Sequence, residues 1–193
     1  MADATAALPA ATQPRRRELL FGTAFATAGV VMVMATLIGY YLAARGAAGP
    51  LHWFANNNIP LAQPNMQAVT LAISVVTMQW AVYSIARDDR PHTFLALGVT
   101  LLLGAAFLNQ TTFLYSQAAV TLAQPEGPLF YAVTGGHVAM VIAGMIFLVL
   151  MGFRALGGQF SSRQPDGIAA AAVFWYATVA VYAVVWVGVY IMK

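Results

Sequence analysis

Five long apolar segments constrain what this chain can fold into more than any other feature of its sequence. They lie at about residues 20–44, 66–86, 92–118, 128–153 and 167–192. Each segment is close to the roughly 20 residues that an α-helix needs to cross a bilayer. Only 8% of the residues are charged, against about 25% in a typical soluble domain. The sequence therefore predicts an all-α, polytopic membrane protein with five transmembrane helices in a bundle.

The basic residues are distributed unevenly between the loops that join these segments. One side of the membrane would hold Arg15, Arg16, Arg17, Arg87, Arg90, Arg154 and Arg163, and the other only Arg45 and Lys193. Because arginine and lysine concentrate in cytoplasmic loops, the sequence predicts a cytoplasmic N-terminus. We expect residues 1–19, rich in Ala, Pro and Thr, to form a flexible cytoplasmic tail, and residues 20–193 to form one membrane domain. The short turn at 87–91 predicts that the second and third helices are antiparallel neighbours.

Groups that could carry out chemistry are scarce in the apolar segments. The acidic residues are Asp3, Glu18, Asp88, Asp89, Glu126 and Asp166, and none lies in the middle of a segment. Since proton and ion pathways ordinarily use buried carboxylates or chains of histidines, we do not expect proton-coupled transport by this chain alone. The chain has no cysteine, which excludes disulfides, thiolate chemistry and iron–sulfur clusters. No Ser/His/Asp constellation could converge for nucleophilic catalysis.

The three histidines, His52, His92 and His137, lie at different predicted depths, and none has a second ligand at helical spacing. We therefore expect no haem or metal site in this chain alone. His137 is the one ionisable side chain within its apolar segment, and such a residue usually faces protein rather than lipid. It lies about ten residues, or about 15 Å, from the outer start of its helix. An interhelical hydrogen bond is therefore a better expectation than contact with a lipid headgroup.

Other polar side chains are spread through the segments. They are Ser74, Thr77, Gln79, Asn109, Gln110, Thr111, Thr112, Thr134, Tyr176 and Thr178. The sequence predicts that they form hydrogen bonds between helices, and the alternative is a polar lining that faces a lipid headgroup or a partner subunit.

Arginine and tryptophan residues are the candidates for contact with lipid or with another subunit. The candidate set is Arg45, Trp53, Trp80, Arg87, Arg90, His137, Arg154 and Trp175. The arginines suit anionic lipid phosphates by charge. Trp80 and Trp175 lie deeper than an interfacial belt, so we expect them to pack against neighbouring helices or lipid tails.

Four motifs of this chain occur in the order in which one known family of membrane proteins carries them. The best match is TGGHVAMV at 134–141 with Gly144, which is similar to the family's T-G-x-H-x-x-H-V followed by glycine. The first segment ends in GYYLAAR at 39–45, which is similar to the family's A-F-Y-x-x-x-R. The last segment, with FWY at 174–176 followed by Trp186 and Tyr190, resembles the family's Trp-rich terminal helix. The second segment ends with Trp80, Ala81, Ser84, Asp89 and Arg90, which resemble W-A-x-x-S followed by D-R. Together these motifs resemble subunit III of the haem–copper oxidases in its five-helix bacterial form, and the resemblance covers residues 20–193.

This sequence departs from the family at most of its ionisable positions. Val30 stands where the family's first span carries a glutamate, and Met140 replaces the second histidine of the fourth-span motif. The third span reads QTTF at 110–113 where a glutamate is common, and W-H-F-V-D becomes WYATV at 175–179. Any role of the family's carboxylates in proton uptake or headgroup binding therefore cannot be transferred to this chain.

The resemblance implies a non-catalytic accessory subunit in a bacterial inner membrane, beside catalytic subunit I and other subunits of a respiratory terminal oxidase. Haem and copper would lie in those partners and no cofactor in this chain. The family's helices form a V-shaped cleft that holds phospholipids, so phospholipid is an expected partner, whereas nucleic acid is not. Three alternatives stay open. The chain could serve a related complex such as nitric oxide reductase, act as an independent small transporter, or be a membrane enzyme or haem carrier that depends on His137.

Overall fold

The computed structural model describes residues 17–49, 53–54, 59–157, 160 and 166–192. Its helices are α1 Glu18–Ala48, α2 Ala62–Ile85, α3 Arg90–Ala118, α4 Gly127–Leu156 and α5 Asp166–Val185, which continues as a π-helix at Trp186–Ile191. All five are long and apolar enough to cross a membrane. The predicted all-α, five-helix architecture is confirmed, with helix ends that differ from the expected ones by a few residues. Residues 1–16 of the expected tail, together with His52, Arg163 and Lys193, lie outside the described residues.

A short turn at residues 86–89 joins α2 to α3 and makes them neighbours. Asp89 caps α3 by accepting a hydrogen bond from the backbone N–H of His92 at 3.3 Å, and Pro91 occupies the first turn, where its missing N–H costs nothing. The two helices then pack along most of their lengths. Thr77 and Thr100 join them through hydroxyl oxygens 2.7 Å apart. The prediction that these helices are antiparallel neighbours is confirmed.

Helix α5 lies at the centre of the bundle. It packs against α1, α2 and α4, and it is the most buried of the five spans. Trp175 is 0% exposed, and its indole N–H donates to the Ser74 hydroxyl of α2 at 3.0 Å. Helix α5, the last of the five in the sequence, therefore organises the packing of α1, α2 and α4.

Two glycines make room for the Trp175 indole. A Cβ at Gly144 of α4 would lie 3.0 Å from Cε3 of Trp175, and a Cβ at Gly104 of α3 would lie 3.1 Å from its Cη2. Small residues let helices approach closely in lipid, where no hydrophobic force drives helix association. Gly104 and Gly144 thus accept one large aromatic ring between α3 and α4.

The two ends of the bundle differ in character. One end carries Arg87, Arg90 and Arg154, on the α2–α3 turn, at the start of α3 and in the last turn of α4; we name it the arginine end. At the opposite end α1 meets the π-helix, where the Arg45 guanidinium donates to the backbone carbonyl of Gly188 at 3.3 Å. A cation at this position satisfies a carbonyl at a helix C-terminus and complements the helix dipole.

Gly144→Ala tests the packing of α4 on Trp175. The added methyl group would lie 3.0 Å from a fully buried indole that has to shift to admit it, so we expect a loss of about 1–3 kcal/mol from the free energy of unfolding. Gly135→Ala on the same helix is the matched control, because a Cβ there meets nothing within 4 Å. Thermal unfolding of the purified protein in detergent measures both, and equal melting temperatures for the two variants would contradict the packing described here.

Candidate functional site

His137 lies inside the bundle, between two aromatic rings. Its side chain is 1% exposed, and its ring centroid lies 5.3 Å from that of Phe107 and 5.1 Å from that of Tyr182. Its Nε2 is 3.0 Å from the backbone carbonyl oxygen of Thr178 in α5. Since a carbonyl oxygen can only accept, Nε2 carries the proton and donates it. This is the interhelical hydrogen bond that the sequence predicts for His137.

A second set of hydrogen bonds joins the helices at the same level of the bundle. The Tyr182 hydroxyl of α5 donates to Oε1 of Gln67 in α2 at 2.8 Å, and Nε2 of Gln67 donates to the Thr111 hydroxyl of α3 at 2.8 Å. The Tyr115 hydroxyl of α3 donates to the Thr134 hydroxyl of α4 at 2.9 Å. The predicted interhelical hydrogen bonding is therefore present at Thr111 and Thr134.

Sequence reasoning did not single out Gln67, Tyr115 or Tyr182 as members of this set. Gln67 lies one residue inside the predicted start of its helix, where a polar side chain needs no explanation. The sequence feature that could have identified Gln67 is its side-chain amide, because an amide within a membrane helix requires hydrogen-bonding partners.

Little space remains beside His137. The cavity there has a volume of about 10 Å³ and is lined by Gln67, Thr134, Tyr182 and Tyr190. This is the size of about one water molecule, whereas small-molecule sites are typically about 300–1,000 Å³. Among the described residues, no three His, Asp or Glu side chains group together as metal ligands would. His137 therefore joins α4 to α5.

Two members of the candidate contact set point inward. Trp175 and His137 are both buried by other helices of this chain. The lipid or subunit contact expected at these two positions is thus replaced by contact within the bundle. The physical reason is that each carries an N–H group, which finds an acceptor on a neighbouring helix and none among lipid tails.

The arginine end presents four of the remaining candidates to the outside, namely Trp80, Arg87, Arg90 and Arg154. The Arg87 guanidinium lies 3.7 Å from the centre of the Tyr83 ring, and that of Arg154 lies 5.4 Å from the Phe160 ring. Trp80 is 37% exposed, with its ring 5.9 Å from that of His92. Arg90 is also exposed. This end therefore combines cationic groups with partly exposed aromatic rings.

Asp89, in the turn between α2 and α3, pairs with His92. Nδ1 of His92 lies 2.7 Å from its Oδ2. The hydrogen bond from the His92 side chain is the main reason that the pKa of Asp89 is lowered below its ordinary value. The carboxylate therefore stays ionised at neutral pH, where it caps α3.

Arg45 and Trp53 both lie at the opposite end of the bundle, near the end of α1. The Trp53 indole N–H donates to the Tyr41 hydroxyl at 3.1 Å, and the two rings meet edge to face with centroids 5.4 Å apart. Trp186 of the π-helix donates to Oδ1 of Asn65 in α2 at 2.9 Å. The bond from Trp186 to Asn65 attaches α2 to the end of α5, and the bond from Arg45 to Gly188 attaches α1 to it.

Apolar side chains occupy three positions where the resemblance would lead one to expect two carboxylates and a histidine. Val30 of α1 and Val179 of α5 are partly buried and pack against the two apolar clusters of the core. Met140, in place of the second histidine, is 4% exposed and belongs to the core. At all three positions, packing takes the place of ionisable chemistry.

His137→Phe tests the bond between α4 and α5. Phenylalanine keeps an aromatic ring between Phe107 and Tyr182 but cannot donate to the Thr178 carbonyl. We expect a loss of about 0.6–2 kcal/mol from the free energy of unfolding. Thr36→Val is the control, since that exposed hydroxyl donates to the Met32 carbonyl of its own helix, at 2.9 Å. Chemical denaturation in detergent measures both variants, and a His137→Phe protein as stable as the native one would show that the bond contributes nothing.

Comparisons with known proteins agree with the motif order. The family model described as cytochrome c oxidase subunit III matches residues 20–193, which covers nearly all of α1 and the whole of the other helices. The chain is 32% identical over 132 residues to cytochrome c oxidase subunit 3 of the turtle Pelomedusa subrufa, and 33% identical over 132 residues to that of Bos taurus. Each alignment covers 68% of this chain and 51% of the relative, so the chain spans about half the length of the curated relatives it matches. It belongs to the cytochrome c oxidase subunit III family.

Proposed function

We propose that this chain is a non-catalytic accessory subunit of a respiratory haem–copper terminal oxidase, that it packs beside catalytic subunit I, and that it binds phospholipid. The observation that carries the proposal is the family match over residues 20–193. Haem and copper then belong to the partner subunits. The contribution of this chain is a stable protein surface within the membrane.

The hydrogen bonds between helices inside the bundle support a structural role for this chain. The polar side chains with interhelical bonds, His137, Gln67 and Tyr182 among them, bond to neighbouring helices of the same chain. Interior groups committed in this way stabilise one arrangement of the helices. Groups that engage other molecules are then those on the surface, in the plane of the membrane and at its two ends.

The arginine end is the proposed site for anionic phospholipid. Arg87, Arg90 and Arg154 would lie at the level of the headgroups, and the partly exposed Trp80 suits the interface below them. We place this end in the cytoplasm, because seven of the nine basic residues fall on its side of the predicted topology. We propose the inner membrane of a bacterium as the location, because the chain resembles the five-helix bacterial form of the family.

Purification from native membranes tests the assignment to an oxidase. An affinity-tagged chain should co-purify with a haem-containing polypeptide, and the complex should show a haem spectrum and consume oxygen. The same chain expressed alone is the control and should show no haem absorbance. A complex that reduces nitric oxide instead of oxygen would assign the chain to that related enzyme. Solute flux by the isolated chain in liposomes, without haem in the native preparation, would contradict the proposal.

Arg90→Gln tests lipid binding at the arginine end. A basic residue near an anionic membrane surface contributes about 1 kcal/mol, so the variant should bind anionic phospholipid about fivefold more weakly. Arg45→Gln is the control, because that side chain lies at the opposite end. Native mass spectrometry counts the bound lipids, and an unchanged content of anionic lipid in the Arg90 variant would argue against this site.

A further inference from the structure

Helix α3 carries a regular line of residues on the surface of the bundle. Successive members are four, three, four, three and four residues apart, which is the heptad spacing of helices that pack with a left-handed crossing. They are Gly98, Leu102, Ala105, Asn109, Thr112 and Ser116; we name this line the α3 seam. Gly98 is partly exposed and the other five are exposed, so the rest of the described chain leaves this line open to contact.

Asn109 is the residue of the seam that needs a partner. Among the residues that the structure describes, no group hydrogen-bonds to its side-chain amide. By contrast, the hydroxyls of Thr112 and Ser116 donate to carbonyls of their own helix at 3.1 Å and 2.7 Å. An asparagine amide offers two donors and an acceptor oxygen, and bonding to its own helix does not satisfy them here.

The depth of Asn109 makes this lack of a partner costly. Residue 104 is the midpoint of α3, which runs from Arg90 to Ala118, so Asn109 lies five residues, or about 8 Å, from the middle of the helix. The hydrocarbon core extends about 15 Å on each side of the bilayer centre. Acyl chains offer no hydrogen bonds, so the amide requires another polar group at this depth.

A groove runs beside the seam, between α3 and α4. It has a volume of about 630 Å³, and its walls include Gly98, Leu102 and Ala105 of α3 with Met145 and Val149 of α4. A Cβ at Gly98 would meet nothing within 4 Å. The groove exists because α3 packs far more extensively on α2 than on α4. It has room for the large apolar side chains of another helix.

The unbonded Asn109 amide and the apolar groove together indicate which kind of molecule covers the α3 seam. A lipid tail could fill the apolar groove, but it would leave the Asn109 amide unbonded one turn beyond Ala105. A transmembrane helix could place apolar side chains in the groove and a polar side chain opposite Asn109. The small residues Gly98 and Ala105, seven positions apart, would let its backbone approach α3 closely.

We propose that the α3 seam binds a transmembrane helix of another subunit of the oxidase, and that a polar side chain of that helix hydrogen-bonds to Asn109. This inference rests on the proposed function, since it takes the partner from the same complex. It adds which face of the chain makes the contact and which chemistry recognises the partner.

Cross-linking from the seam identifies the occupant. The chain has no cysteine, so Ala105→Cys introduces its only thiol, and the native chain is the control for labelling. A benzophenone maleimide attached to this thiol should, on illumination of the purified complex, join the chain to a different polypeptide. Adducts with lipid alone, or with a second copy of this chain, would overturn the proposal.

Retention in the complex measures the contribution of the amide. Asn109→Leu should weaken retention of the chain during detergent washing by about three- to thirtyfold, the effect of losing one interhelical hydrogen bond. Thr36→Val is the control, because that exposed hydroxyl bonds to Met32 of its own helix. Gly98→Leu should also weaken retention by filling the groove, whereas Gly29→Leu on α1, where a Cβ also meets nothing, should not.

These measurements separate failure of the inference from failure of the proposed function. If the native chain co-purifies with haem but the Asn109→Leu and Gly98→Leu variants are retained as well as the native chain, only the seam is wrong. If the native chain co-purifies with no haem-containing polypeptide, the proposed function fails, and the seam proposal fails with it.

Discussion

The fold depends on hydrogen bonds that α5 forms with its neighbours in a region that water does not reach. Trp175 donates to Ser74, Tyr182 donates to Gln67, and His137 donates to the carbonyl of Thr178. Because lipid is as apolar as the helix surfaces, burial alone does not hold these helices together. These hydrogen-bonded pairs therefore fix the position of each neighbouring helix along the axis of α5. The small residues around them allow the helices to pack closely in that register.

The parts of the fold that follow from local sequence could be predicted. The number of helices follows from the length of each apolar segment, and the α2–α3 pairing follows from a turn too short for any other arrangement. The hydrogen bond of His137 could be expected because an imidazole at that depth has no lipid partner. In each case a single stretch of chain, or a single residue with its depth, contains the physical reason.

The parts that depend on distant residues could not be predicted. Nothing in the sequence around Gln67 indicates that its partners are Tyr182 and Thr111, 115 and 44 residues away. Trp175 could face lipid or protein by its position alone, and only its contact with Gly144 and Ser74 places it inside. The same holds for the site residues at the two ends, since charge predicts an interface but does not identify the molecule that it meets.

Two polar residues in the membrane show how such a group can be satisfied. His137 has its acceptor in α5 of the same chain, so it stabilises the bundle and is unavailable to other molecules. Asn109 faces outward from α3, and its amide has no partner among the described residues. In a chain where Val30, Met140 and Val179 fill positions that are ionisable in the family, the few remaining polar groups carry the specificity. His137 joins two helices of the fold, and Asn109 provides the α3 seam with a polar group for a helix of another subunit to bind.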